Sequence, residues 1–204
     1  MADSALYFTA PRTVEPRPVS VDPAAEEVVV ETDVSAISAG TELLVYRGEA
    51  PDDLPVDETI DAFEDSFEYP LRYGYAAAGR VVDTGSTVSD VWLDRQVFGF
   101  HPHQTRFAAD PDDLVVLPDD VSPAHGSLLP TVETATNLVL DSEPRLGESV
   151  VVFGAGVVGL CTTRLLSAFP LSDLTVVEPI ADRRETATAM GADRVIPPET
   201  AAAE

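Results

Sequence analysis

Residues 150–178 read Val150-Val151-Val152-Phe153-Gly154-Ala155-Gly156-Val157-Val158-Gly159, then a run to Phe169, then Leu174-Thr175-Val176-Val177-Glu178. Val150 to Phe153 is short and wholly apolar, the pattern of a parallel strand buried on both faces. Three glycines follow at G-x-G-x-x-G spacing. The first permits a tight turn, the second lets a phosphate approach the backbone, and the third packs helix against strand. From Val157 to Phe169, the residues Val157, Val158, Leu160, Cys161, Leu165 and Ala168 fit a helix with one apolar face. Its N-terminus, at Val157 and Val158, would direct free N–H groups at a pyrophosphate. A second apolar strand ends in Glu178, 24 positions after Gly154. An acid about 20 residues after the glycines is placed to hold ribose hydroxyls. The stretch therefore predicts a dinucleotide site. The competing reading gives the glycines a packing role only and leaves the placement of Glu178 to chance.

Working outward, composition sets bounds. The chain has 204 residues, 36 acidic against 12 basic, and a formal charge of −24. Every basic residue is arginine; lysine does not occur. A surface so negative argues against nucleic acid and anionic membrane as partners. Self-repulsion of that size is relieved by salt, whose Debye length at 1 M is about 3 Å. The excess acid is thus read as adaptation to a salty cytoplasm, as in halophiles. No apolar run approaches the ~18 residues of a membrane span. Met1-Ala2-Asp3-Ser4 carries no basic region or apolar core of a secretory signal. A cytoplasmic location is expected. The single cysteine, Cys161, excludes an internal disulfide and a multi-cysteine zinc lobe.

Upstream of the glycines the chain reads as an all-β domain, a small barrel or sandwich. Strands are predicted at Ala5–Thr9, Val14–Val19, Val28–Ile37, Tyr73–Asp83, Gln96–Phe100, Thr105–Ala108 and Leu114–Leu117. A short helix is predicted over Leu43–Arg47. Between Glu49 and Glu68 nine acids and no arginine suggest a surface insertion, pinned by Ile60, Phe63 and Phe67. Ser122-Pro123 is a helix start, and Pro130 interrupts the pattern before a helix over Thr131–Leu140. Downstream, Ala181–Met190 is a helix stopped by Gly191, and Arg194–Ile196 a third strand. A complete doubly wound domain needs about six strands. Three are visible, so the chain is expected to be part of a longer protein. The organisation expected is a β domain over 1–121, connecting helices over 122–148, and half of a nucleotide domain over 149–204.

An all-β domain followed by this glycine-rich unit, with matching local sequence from Ala5-Leu6-Tyr7-Phe8 to Met190-Gly191-Ala192-Asp193, resembles the medium-chain dehydrogenase/reductase superfamily of zinc-type alcohol dehydrogenases. Ser38-Ala39-Gly40-Thr41-Glu42, Tyr73-Gly74-Tyr75-Ala76 and Val132-Glu133-Thr134-Ala135 look most like its bacteriochlorophyllide dehydrogenase and threonine dehydrogenase-related members. The resemblance implies a GroES-like β-barrel followed by a partial Rossmann sheet. It also implies hydride transfer between a nicotinamide cofactor and a small alcohol or carbonyl substrate, and a homo-oligomer for the full-length parent.

The departures bear on chemistry. Zinc-dependent members place a cysteine where this chain has Ser38 or Ala39. They carry Gly-His-Glu where it has Gly74-Tyr75-Ala76. The third ligand position falls near Glu133. Catalytic zinc takes three protein ligands; at most one survives, so zinc is not expected. His101-Pro102-His103 is the remaining metal alternative; the proline argues for a turn, with His103 capping a loop or lining a pocket. His125 sits in a helix start and reads as structural. The resemblance offers Thr41, Glu42, Tyr75 and Glu133 as polar groups for the substrate oxygen. For each, capping, packing or surface exposure is the plainer reading. The cofactor glycines are Gly154, Gly156 and Gly159. Glu178 would repel a 2′-phosphate and favours NAD, while Arg183 and Arg184 leave NADP open. Two other readings stand beside the enzyme: a catalytically degenerate nucleotide-binding module, and a non-functional fragment of a longer dehydrogenase.

Overall fold

The computed structural model describes residues 3–50 and 67–201. The chain divides into two compact units, Met1–Leu129 and Pro130–Glu204.

The first unit is antiparallel β. Its strands are β1 (Ser4–Ala10), β2 (Thr13–Pro18), β3 (Val28–Ser35), β4 (Leu71–Arg72), β5 (Ala77–Thr84), β6 (Gln96–Gly99), β7 (Arg106–Ala109) and β8 (Leu114–Val116). Helix α1 (Thr41–Arg47) separates β3 from β4, and α2 (Pro123–Gly126) follows β8. Five strands form one sheet in the order β7-β3-β5-β6-β8, and three form another, β2-β1-β4. An isolated antiparallel bridge pairs Ala5 of β1 with Gln104, just ahead of β7, and the unit has the GroES-like fold. Val28, Val30, Ala77, Val81, Val97 and Phe107 fill one core, all at most 1% exposed. Phe98 anchors another with Ala76, Ala78 and Leu117. Ser122 caps α2 as its sequence predicts: the hydroxyl accepts from the His125 backbone N–H, and Pro123 takes the first helical position.

Two features of this unit differ from the sequence pattern. The strand expected over Tyr73–Asp83 begins only at Ala77, because Gly74 takes φ of +118° and breaks the extended path. Val28–Ile37 stops pairing at Ser35 and carries a bulge: Thr32 pairs with Gly79 and Val34 with Ala78, leaving Asp33 as the extra residue. Gly79 permits this, since a Cβ there would meet the Glu31 carbonyl oxygen and come within 2.9 Å of Thr32 Cα. Ile60 and Phe63 lie outside the described residues. Phe67 is half-buried and packs edge to face on Tyr73, centroids 5.7 Å apart.

The second unit begins in α3 (Leu129–Ser142) and continues through β9 (Ser149–Phe153), α4 (Val157–Leu166), β10 (Asp173–Val177), α5 (Ala181–Ala189), β11 (Arg194–Ile196) and α6 (Pro198–Ala201). The three strands are parallel, in the order β11-β10-β9. This is the partial Rossmann sheet. Pro130 does not interrupt α3. It sits in the first turn, where no backbone N–H is needed. The expectation that Val150–Phe153 is buried on both faces is corrected: Val151 is 50% and Phe153 79% exposed. Among the described residues β9 pairs only with β10, so one of its edges and one of its faces stay open. No described helix is long and apolar enough to cross a membrane.

Candidate functional site

The glycine loop is built as the spacing requires. Gly154 lies at φ +95°, a region an L side chain rarely adopts, and its N–H donates to the Val177 carbonyl. Gly156 caps α4 without a side chain, leaving the first-turn N–H groups of Val157, Val158 and Gly159 without a capping oxygen. A Cβ at Gly156 would meet nothing within 4 Å. The loop therefore has both free donors and open space, which fits a phosphate. Gly159 serves packing: a Cβ there would collide with the Gly154 carbonyl oxygen. Gly159→Ala must push α4 off the loop. A dinucleotide affinity at least about tenfold weaker, read by NADH fluorescence titration, is the expected outcome, worth about 1.4 kcal/mol.

Glu178 directly follows β10 beside this loop but faces inward, 2% exposed. Its carboxylate accepts from the Ala155 N–H at 2.7 Å and the Ile180 N–H at 2.9 Å. These backbone bonds, Ala155 first, hold the carboxyl below the usual carboxylate range; burial opposes them, and the charges of Arg183 and Arg184 reinforce them. Each oxygen keeps a further lone pair. Arg184 turns back onto the Glu178 and Pro179 carbonyls, at 2.9 and 2.7 Å, whereas Arg183 is exposed.

Of the four polar candidates, three lie in the first unit. Thr41 opens α1 and is exposed. Tyr75 is half-buried, its ring edge-on to Tyr73 at 6.4 Å. Glu42 is buried at 3% exposure and is tied up: one oxygen accepts from the Ser38 N–H at 2.8 Å, the other meets His103 Nε2 at 2.7 Å. Glu133 lies in the second unit, exposed on α3.

The arrangement that sequence reasoning missed is the chain through His103. Its Nδ1 is hydrogen-bonded to Ser35 Oγ, 68 positions away, and its Nε2 to Glu42, 61 positions away. Only the pocket-lining role of His103 carried a signal, in the kinked His-Pro-His. Nothing local marks Ser35. His101 points elsewhere: it stacks on Phe107 at 4.3 Å and its Nδ1 donates to the Pro102 carbonyl.

The donor set does not fit a family-type zinc. Ser38 and Tyr75 are neutral hydroxyls, and Glu42 and His103 are already bonded to each other. Among the described residues no three His, Cys, Asp or Glu side chains come together.

No family model matches the chain. It is 27% identical over 188 residues to the (R,R)-butanediol dehydrogenase of Bacillus subtilis (strain 168), covering 79% of this chain and 54% of that protein. It is 30% identical over 203 residues to the 2-desacetyl-2-hydroxyethyl bacteriochlorophyllide A dehydrogenase of Cereibacter sphaeroides, covering 92% and 60%. The chain thus spans little more than half the length of these relatives. Among solved structures, the Escherichia coli quinone oxidoreductase complexed with NADPH superposes with a TM-score of 0.73 at 20% identity, over 95% of this chain and 58% of that one. The two-part fold, the glycine loop with its acid, and these similarities converge: the chain's homologues are members of the medium-chain dehydrogenase/reductase superfamily of alcohol dehydrogenase relatives.

Proposed function

We propose that the protein is a nicotinamide-dependent oxidoreductase that transfers a hydride between the cofactor and a small alcohol or carbonyl substrate, prefers NAD, and acts in the cytoplasm without catalytic zinc. The observation that carries the reading is the loop at Gly154–Gly159, with open space at Gly156, uncapped helix N–H groups and Glu178 beside it. Bound there, the cofactor supplies the hydride acceptor or donor. The chain's residues do the rest. Val157, Val158 and Gly159 offer backbone N–H groups to the pyrophosphate, and Glu178 offers its remaining lone pairs to the ribose hydroxyls. Thr41 and Tyr75 are the hydroxyls that meet the substrate oxygen. Glu133 is a carboxylate open to solvent for proton exchange. Glu42 acts at one remove, holding His103.

The test is a fluorescence titration with NADH and NADPH in molar potassium chloride. Saturable binding, tighter for NADH, is expected. Glu178→Ala should weaken it about 10- to 100-fold, the worth of hydrogen bonds to a charged acceptor, and narrow the preference over NADPH. Binding of neither nucleotide would sink the reading for this chain. The engagement of Glu42 by His103 favours a second reading, a nucleotide-binding module without turnover. Transfer of deuterium from labelled NADH to a carbonyl substrate separates the two.

A further inference from the structure

The Glu42–His103–Ser35 chain borders a groove that the nucleotide reading does not use. The groove has a volume of about 320 Å³, and Ala5, Leu6, Pro16, Thr32, Ser35 and His103 are among its lining residues. Its position follows from the bulge in β3. On a regular strand, residues three apart point to opposite faces. The extra residue Asp33 turns Thr32 and Ser35 to the same side, so both hydroxyl residues line the groove.

His103 Nε2 faces the Glu42 carboxylate and Nδ1 faces the Ser35 hydroxyl. In the Nε2–H tautomer the ring donates to Glu42 and Nδ1 accepts from Ser35, which is the arrangement an activated serine needs. The ring is held from a further side: His103 Cδ2 and Nε2 lie 2.6 Å from where a Cβ of Gly74 would stand. A hydroxyl, a base within hydrogen-bond reach and a buried carboxylate that orients the base form the pattern of an activated nucleophile. Thr32 Oγ1 is buried with no hydrogen-bond partner among the described residues and belongs to the same groove.

We propose that Ser35 is an activated serine that accepts an acyl group from a small, uncharged ester held in the β1–β3 groove. Ser35 Oγ bonds to the acyl carbon as its proton moves to His103 Nδ1. The ester C–O bond breaks, and the proton passes from His103 to the departing alkoxide, releasing the alcohol. Water then enters by the same route: its oxygen bonds to the acyl carbon as its proton moves to His103 Nδ1, the bond from that carbon to Ser35 Oγ breaks, and the proton returns to Ser35 Oγ, releasing the carboxylic acid. Glu42 is a positioning residue that holds the His103 ring. Apolar Ala5, Leu6 and Pro16 suit a short acyl chain, and the charge of −24 disfavours an anionic one.

The site is tested on the whole chain in molar potassium chloride with diisopropyl fluorophosphate and p-nitrophenyl acetate. The expected result is a single phosphoryl adduct, mapped to Ser35 by peptide mass, and ester hydrolysis that Ser35→Ala abolishes. His103→Gln and Glu42→Gln should slow labelling by about 100-fold or more, the ordinary worth of general base assistance. Glu42→Gln should lower the maximal rate of p-nitrophenyl acetate hydrolysis and leave its KM unchanged, a kcat-against-KM split that a merely structural role would not give. No adduct on Ser35 in cooperatively folded protein overturns the proposal. So does labelling spread evenly over other serines, or labelling unchanged in folded His103→Gln. Ser35→Ala, which the dehydrogenase reading does not use, should leave NADH binding unchanged, so failure here and failure of that reading are told apart.

Discussion

Gly74→Ala is expected to destabilise the first unit by about 2–6 kcal/mol, combining the ~1–3 kcal/mol of a strained backbone with the ~1–3 kcal/mol of overpacking. Gly74 stands at φ +118°, and its Cβ would come 2.6 Å from His103 Cδ2 and Nε2 and 2.9 Å from Cε1. The imidazole cannot yield freely, because Glu42 and Ser35 hold its two nitrogens. Relief requires breaking a buried hydrogen bond or moving β5. Gly147→Ala is the control: its φ is +78°, but a Cβ there meets nothing within 4 Å, so only the backbone cost of about 1 kcal/mol remains. Urea unfolding in molar potassium chloride, followed by circular dichroism, measures both. Equal losses for the two variants would mean that the His103 ring does not lie against Gly74.

Acid is expected to weaken the fold through His101, with a size near 3 kcal/mol. The residue is 8% exposed, and its pKa is lowered from 6.5 to about 4. Burial is the main cause; the charge of Arg72 adds to it, and the bond to the Pro102 carbonyl opposes it. The folded pKa thus lies below the unfolded one, so between pH 6.5 and 4 the unfolded chain binds a proton that the folded chain refuses. Stability is complete above pH 6.5 and falls as pH drops towards 4. The gap of about 2.5 pH units corresponds to about 3 kcal/mol at ~1.4 kcal/mol per unit. His101→Gln should flatten the slope of unfolding free energy between pH 6.5 and 5, where most carboxylates are still ionised. An unchanged slope would remove His101 as the cause. The absolute stability of the variant is a separate matter, since the stack on Phe107 is altered.

The carboxylates at the two ends of the chain illustrate how differently a site can be written. Glu178 was legible: a fixed distance from three glycines, at the end of an apolar run, identifies it without any other part of the protein. Its inward turn was not. That depends on where the N–H groups of Ala155 and Ile180 end up once β9 and β10 are paired. Glu42 was legible only as a residue of a resembling motif. Its partner His103 arrives from the turn before β7, and neither position carries a local sign of the other.

The sequence by itself determined the parallel strand-loop-helix unit, the cap at Ser122-Pro123, the all-β character of the first unit and the resemblance to the superfamily. Each is specified by contiguous residues, through allowed φ values, capping oxygens and the period of apolar positions, which act over a single turn or strand. Only the tertiary structure decided that β9 leaves Val151 and Phe153 exposed, that a bulge at Asp33 aligns Thr32 with Ser35, and that His103 joins Ser35 to Glu42. Those outcomes depend on which strand pairs with which, and on a register set by packing across dozens of residues, where shifting one residue turns a side chain from one face to the other.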